Sequence, residues 1–257
     1  MVHHVLILAA GKGSRLKNSD IPKQFLEIDG IPMLMHSMTA FKKALPGCHL
    51  YVALDQEYKL KWRTICNKYN FNIDHVTYLG GQNRFQSVLM GLQKIKASSP
   101  QNRYPKKNIK EDIVSIHDGA RPFVDKHFIL ELIKAIDATD VSCIIPVINS
   151  KNSLLKKRTD LDYKSVNRDD FLLAQTPQCF KFKDIDVAYR HFQSNSDIFN
   201  DDFSVFDLYY NVVKKIELKD SVFKVKYIIG RNYNIKITTD LDYFVAPKIL
   251  EFLKTHQ

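Results

Sequence analysis

The stretch Val5–Gln24 reads VLILAAGKGSRLKNSDIPKQ, and the rest of the chain can be arranged around it. Val5 to Leu8 is a short apolar run, the pattern of a buried strand. It gives way to Ala9, Ala10, Gly11, Lys12, Gly13, Ser14 and Arg15. Glycines let the backbone turn sharply and bring its N–H groups close to an anion, while Lys12, Arg15 and Lys23 place three cations nearby. Taken alone, this is either a phosphate loop or an ordinary strand-to-helix turn with a solvated basic face. A Walker loop is excluded because Gly-Lys is not followed by Ser or Thr, and the dinucleotide fingerprint is excluded because its third glycine is missing.

Outward from this loop, strands and helices alternate. His49–Leu54, His75–Leu79, Ile113–Ile116 and Val141–Val147 read as strands. Helical periodicity covers Pro32 to Lys43, about Gln56 to Tyr69, Arg84 to about Ile95, and about Lys126 to Ala138. That order predicts an α/β fold with a doubly wound, mainly parallel, Rossmann-like sheet. Ligands of such sheets sit beyond the carboxyl ends of the strands, so the loops at Gly11, Gly80 and Asp118 should converge on one crevice. The alternation breaks over 148–171, which reads as a protruding β-arm with hairpin patterning at Ser153–Leu155 and Tyr163–Val166. Beyond it lie a strand at Leu172–Ala174, a turn at Gln175–Gln178 and a helix over about Lys183–Phe192. A short helix opens at Asp201 and Asp202, strands follow at Val212–Leu218 and Phe223–Ile229, and a helix capped by Thr239 or Asp240 closes the chain. The expectation is one domain over 1–257 carrying an arm.

Composition bounds the function. With 257 residues, 45% hydrophobic and 26% charged, the chain can bury a sizeable globular core. No apolar run approaches the roughly 20 residues that span a membrane, and the N-terminus lacks the basic region of a cleaved signal peptide. Cys48, Cys66, Cys143 and Cys179 are too scattered for a metal or redox motif and read as reduced, cytoplasmic thiols. The formal charge of +10 favours anionic partners. Its densest polar patch, Ser98–Asp112, reads as a solvated loop, and no basic stretch is interleaved with aromatics as a nucleic-acid platform would be.

Seven blocks stand in a recognisable order: A-A-G-K-G-S-R from Ala9, P-K-Q-F from Pro22, G-G-Q-N-R-F-Q-S-V from Gly80, H-D-G-A-R-P-F-V from His117, Q-T-P-Q-C-F from Gln175, N-D-D-F-S-V-F from Asn200 and N-I-K-I-T-T-D-L-D from Asn234. From His4 to about Leu253 the chain resembles the methylerythritol-phosphate cytidylyltransferases. The same blocks occur in ribitol-5-phosphate cytidylyltransferases, so the resemblance speaks more for CTP than for the acceptor. A non-catalytic nucleotide or nucleic-acid binding module is the alternative of another class; it would leave the register of Lys23, Asp118 and Lys236 unaccounted for.

The resemblance implies attack of a polyol phosphate on the α-phosphorus of CTP, with release of pyrophosphate, in non-mevalonate isoprenoid precursor synthesis. Such chemistry needs positioning and charge neutralisation, since the nucleophile is already an anion. It implies Arg15, Lys23 and Lys236 as catalytic cations. Ala10, Gly11, Gly13, Gly80, Gly81, Arg84, Ser87, Asp118 and Gly119 would hold the nucleotide, with Asp118 as the Mg²⁺ ligand. Arg121, Ser150, Arg168, Thr176, Asn200, Lys236 and Thr238 would bind the acceptor, Arg168 across a homodimer interface formed by the arm. Asn149-Ser150 and Asn200 depart from the Asp-Thr and Thr that the family uses there. From its place at the end of a strand, His117 reads as a packing residue, and Asn234 as a support for the Lys236 loop or the metal.

Overall fold

The computed structural model of the chain describes residues 1–11, 21–98, 112–138, 140–194, 199–214 and 224–256. The positions expected to form the 98–112 loop, except its ends, and the 215–218 part of a late strand lie outside them, as do Gly13 and Arg15.

The strand read at the head of the sequence is β1 (His3–Leu8), and it lies inside the main sheet. Its parallel neighbours are β4 (His49–Leu54) on one side and β6 (Ile113–Asp118) on the other, with β5 (Val76–Leu79) parallel beyond β4. Two one-turn strands, β2 (Glu27–Ile28) and β3 (Ile31–Pro32), form a separate hairpin before α1 (Met33–Ala44). The crossovers are α1, α2 (Gln56–Lys68), α3 (Arg84–Ser98) and α4 (Lys126–Asp137). Asp55 and Asp125 cap α2 and α4 by accepting from the Tyr58 and Phe128 amides.

Both faces of the sheet are covered, which is why β1 and β6 read as mainly apolar runs. Val5, Ile7 and Val52 pack with Leu34, Phe41, Trp62 and Phe128 on one face. Leu6, Tyr51 and Ala53 pack with Phe85, Leu92, Tyr189 and Phe206 on the other. Each such fully buried side chain contributes roughly 1.5–3 kcal/mol of transfer free energy. A third cluster, with Ile28, Phe123, Ile237 and Leu253, fastens the C-terminal segment to the sheet end.

Past β6 the topology departs from the expected order in one place. Between β7 (Cys143–Asn149) and β6 runs β11 (Gln178–Lys181), antiparallel to both. Gln178 lay in the expected turn, and β11 continues β10 (Leu172–Ala174) along the same edge of β7. Ala174 and Cys179 are five positions apart while their partners Val147 and Ile144 are three apart, so the chain bulges at Gln175–Gln178. Parallel to β7 on its other side lies β12 (Val225–Ile229).

The arm is present as a two-stranded sheet, β8 (Leu154–Lys157) against β9 (Tyr163–Val166), separate from the main sheet. After α5 (Phe182–His191), Asp201 caps α6 (Asp202–Asp207) through a capping box with Ser204. The strand expected from Val212 is corrected for its described part: Leu208–Lys214 continues α6 as a π-type helix. Tyr209 and Tyr210 bury their rings in the core there, so tertiary packing overrides the strand propensity of Val212 and Val213. The final helix is α7 (Asp240–Thr255), with Thr239 as its cap.

At the opposite end of β1, His4 is buried beside Asp112, 3.3 Å from its carboxylate. Burial pushes the imidazole down to about 4 despite that neighbour, whereas an unfolded histidine titrates near 6.5. The unfolded chain therefore takes up the proton first, and stability is lost as pH falls from about 6.5 through 4. The urea midpoint should drop across that window by an amount equivalent to roughly 2–3 kcal/mol, and His4→Gln should flatten the drop.

Candidate active site

The carboxyl ends of the parallel strands are laced together one residue beyond the sheet. Ala9 N–H donates to Ala53, Gly80 N–H to Leu54 and Gly119 N–H to Leu8. These bonds hold the loops after β1, β5 and β6 in a fixed relation, and between the loops lies a cleft of about 790 Å³. Ala10, Gly11, Lys23, Gly80, Gly81, Arg84, Ser87, Asp118 and Lys236 line it, nine positions expected from the sequence.

Close approach explains two of the glycines. A Cβ on Gly80 would stand 2.2 Å from the Ala10 Cβ and 3.1 Å from the Ser87 hydroxyl. One on Gly119 would stand 2.9 Å from the Leu8 carbonyl oxygen. Gly80→Ala should therefore push the β1 loop into the cleft, raising the KM for CTP, the substrate that the resemblance implies, about tenfold or more while the fold survives; initial rates against CTP concentration measure it.

Gln24 was not singled out by the sequence, although it sits in the P-K-Q-F block. Its buried amide donates to the Ala9 carbonyl at 2.6 Å and the Gly11 carbonyl at 3.1 Å, and so holds the first glycine loop from below. The adjacent Lys23 ammonium donates to the Ile237 carbonyl at 2.9 Å. Ile237 is itself fully buried and its N–H donates to Ala120, so this anchor brings Lys236 to the same cleft.

Asp118 is the electrostatic centre. Its carboxylate is 2.9 Å from Lys236 Nζ and 3.6 Å from both Arg84 Nε and Arg121 Nε. Burial alone would raise its pKa, yet the charges of Arg84, Lys236 and Arg121 outweigh that and hold the group far below the carboxylate range. It is ionised at any working pH. Arg84 is divided between two acids: its Nη1 and Nη2 donate to Asp202 at 2.6 Å each, while its Nε faces Asp118. Asp202 is completely buried and also accepts from the Tyr189 hydroxyl at 2.6 Å. The bidentate pair fixes Arg84 against the wall, which leaves Ser87 and the backbone as the freer groups of that loop. Ser87 accepts from Gly81 N–H at 3.0 Å and donates to the Asn83 carbonyl at 2.9 Å.

The residues expected to bind the acceptor are spread more widely. Arg121 stands beside Asp118 and donates to the Asn234 carbonyl at 2.8 Å. Thr238 turns its hydroxyl to Asp242 at 2.9 Å, within the cap of α7. Thr176 is buried against Asp118 and His117. Asn200 is exposed next to the α6 cap. Ser150 and Arg168 lie at the base of the arm, bonded to the Asn152 and Lys151 carbonyls, and this chain does not bring them to the cleft. The buried Asn234, whose amide donates to the Thr176 carbonyl at 2.9 Å, supports the segment leading to Lys236.

For a divalent cation, the described residues contain no cluster of three or more His, Cys, Asp or Glu. Asp118 offers one ionised carboxylate, a number that fits Mg²⁺ only where phosphate oxygens and water complete its shell.

Comparison with known proteins agrees with this geometry. The sequence profile of the 2-C-methyl-D-erythritol 4-phosphate cytidylyltransferase family matches residues 3–252. A protein of that name from Azobacteroides pseudotrichonymphae is 35% identical over 249 residues, covering 96% of this chain and 98% of its own. One from Phocaeicola vulgatus is 33% identical, covering 97% and 100%. The crystal structure of 4-diphosphocytidyl-2C-methyl-D-erythritol synthase from Anaerococcus prevotii superposes with a TM-score of 0.72 at 26% identity, covering 97% of this chain and 98% of its own. With glycine loops, cations and Asp118 gathered in one cleft and the match running nearly end to end, the chain belongs to the 2-C-methyl-D-erythritol 4-phosphate cytidylyltransferase family.

Proposed function

We propose that the chain transfers a cytidylyl group from CTP to 2-C-methyl-D-erythritol 4-phosphate, giving the CDP-alcohol and pyrophosphate for isoprenoid precursor synthesis. The observation that carries the reading is Asp118 with Lys236, Arg84 and Arg121 around it, across one cleft from the Ala10–Gly11 loop and Lys23. An acceptor phosphate oxygen attacks the α-phosphorus, the bond from that phosphorus to the bridging oxygen breaks, and pyrophosphate leaves with the electron pair. No enzyme nucleophile is required.

Lys23 and Lys236 serve this step as preorganised cations, their ammonium groups held by the Ile237 carbonyl and the Asp118 carboxylate. Backbone amides of the Ala10–Gly11 loop orient the nucleotide, the Gly80–Gly81 loop walls its pocket, and Ser87 stands at the base side. Arg15, in register with the family block, joins Lys23 on the triphosphate. Asp118 would hold Mg²⁺, which supplies charge neutralisation to the phosphates when bound. Lys236 and Arg121 take the acceptor phosphate, with Thr238 and Asn200 as further acceptor contacts, and Ser150 belongs with Arg168 to the contacts that a second copy supplies.

The arm is proposed to clasp a second copy of the chain, so that Arg168 completes the partner's acceptor site. Leu155, Leu161 and Tyr163 of the hairpin are exposed, in keeping with a surface that is covered in a homodimer. Among the described residues no helix is long and apolar enough to cross a membrane; a cytoplasmic location is part of the proposal. Pyrophosphate release from CTP and Mg²⁺ tests the acceptor: it should require 2-C-methyl-D-erythritol 4-phosphate and stop on chelation with EDTA. Activity confined to D-ribitol 5-phosphate would overturn it, and a fully active monomer by sedimentation would overturn the role given to Arg168.

A further inference from the structure

Where the ladders beside β7 end, Gln175 and Gly230 stand on its two edges. Gln175 N–H donates to the Pro146 carbonyl and Gly230 N–H to the Val147 carbonyl, each at 2.8 Å. From its edge the buried Gln175 side chain reaches across β7 to the turn that follows Gly230. The Arg231 carbonyl there accepts from the Asn234 N–H at 3.0 Å, which closes a four-residue turn two positions before Lys236.

The Gln175 amide clips this turn at its mouth. Nε2 donates to the Arg231 carbonyl at 2.8 Å and approaches the Asn234 carbonyl at 3.5 Å, while Oε1 accepts from the Arg231 N–H at 3.0 Å. Backbone N–H groups only donate and carbonyls only accept, so the partners fix which end of the amide is which, and no titrating group enters the assignment. Asn234 returns the tie, its side-chain amide donating to the Thr176 carbonyl at 2.9 Å. On its outer side the turn rests on α4 and the cap of that helix, where Arg231 pairs with the exposed Glu131 at 2.6 Å and Tyr233 donates to Asp125 at 2.5 Å. Those two contacts hold side chains, whereas Gln175 holds the backbone of the turn. The Asn234 carbonyl also accepts from Arg121 at 2.8 Å, so the exit of the turn bears on both cations beside Asp118.

We infer that Gln175 is a positioning residue, which sets Lys236 and Arg121 for the acceptor phosphate through the Arg231–Asn234 turn. The inference deepens the proposed cytidylyl transfer and rests on it for its kinetic consequence, while the clip is read without any activity. Gly230 belongs to the same device. A Cβ there would stand 2.4 Å from Gln175 Oε1, so alanine displaces the amide from the other side.

Gln175→Met keeps the reach of the side chain and removes its hydrogen bonds. It should lower kcat/KM for 2-C-methyl-D-erythritol 4-phosphate about 10–100-fold, with the dissociation constant of CTP by calorimetry changed less than about threefold. Gly230→Ala should act likewise in the wild type, and its effect should fall below about threefold where Gln175 is already alanine. A clip that serves stability alone would lower the urea midpoint and leave the kinetics of the folded variants near wild type; that result, or effects of Gly230→Ala and Gln175→Ala that simply multiply, would overturn the inference.

Hydrogen exchange of the intact protein gives a readout independent of turnover. In Gln175→Met the Arg231 and Asn234 amides should exchange about tenfold faster or more, while those of β1 and β6 keep their wild-type rates. Unchanged rates at Arg231 and Asn234, or acceleration spread through the whole sheet, would overturn the inference even if the protein turned over neither acceptor. Acceleration confined to the turn in a protein without turnover would uphold the clip and count against the proposed reaction alone.

Discussion

Asp118→Asn is expected to lower kcat by about a hundredfold or more while leaving CTP binding nearly as tight as before. Among the described residues the carboxylate is the one negative group shown in contact with all three of Lys236, Arg84 and Arg121, at 3.6 Å or less. Replacing it with an amide keeps the volume and the turn, since the backbone N–H still donates to Thr176. What is lost is the anion that orders the three cations and would carry Mg²⁺. The added positive charge still attracts the triphosphate, so ground-state affinity is retained while stabilisation of the transferring phosphoryl group is not. Steady-state rates with CTP binding by calorimetry separate the two; a kcat within threefold of wild type would remove Asp118 from the chemistry.

Asp202→Ala has the largest expected effect on stability, a loss of about 3–5 kcal/mol. The substitution leaves the guanidinium of Arg84, mostly buried, without its bidentate partner and the buried Tyr189 hydroxyl without its acceptor. Asp202 also opens α6, where the Ser204 N–H donates to Asp201, and Gln178 of β11 donates to Asp201 and accepts from the Phe203 N–H. The urea midpoint should fall by the corresponding amount. Freed from Asp202, the fork of Arg84 can turn to Asp118, so the surviving folded protein should also lose rate. A midpoint shift under about 0.5 kcal/mol, the scale of ordinary surface changes, would mean that the pair contributes little.

These two acids mark how far sequence reading reaches. The strands β1 and β6 were legible because both faces are buried and the runs are mainly apolar, and the loops after them because only small residues permit such close approach. Asp118 stood out as a carboxylate at the end of such a run. Asp202 did not, since its meaning lies in Arg84, 118 positions away, and nothing local distinguishes it from a second N-terminal helix acid. β11 was hidden by Gln175, Thr176 and Pro177, which carry turn chemistry although the chain only bulges there and runs on in the sheet. Val212 and Val213 carry strand propensity, but the capped helix before them and the buried tyrosines beside them decide otherwise. Gln24 and Asn234 serve backbone carbonyls, a role that residue type alone does not announce.

The central claim is that the Asp118 cleft joins CTP to a methylerythritol phosphate. ³¹P NMR of the purified protein with CTP, Mg²⁺ and 2-C-methyl-D-erythritol 4-phosphate tests it most directly. The account predicts growth of a diphosphodiester pair of signals together with free pyrophosphate in equal amount, and neither on the same timescale with Asp118→Asn. No diphosphodiester from the wild type, or the same yield from both proteins, would contradict it.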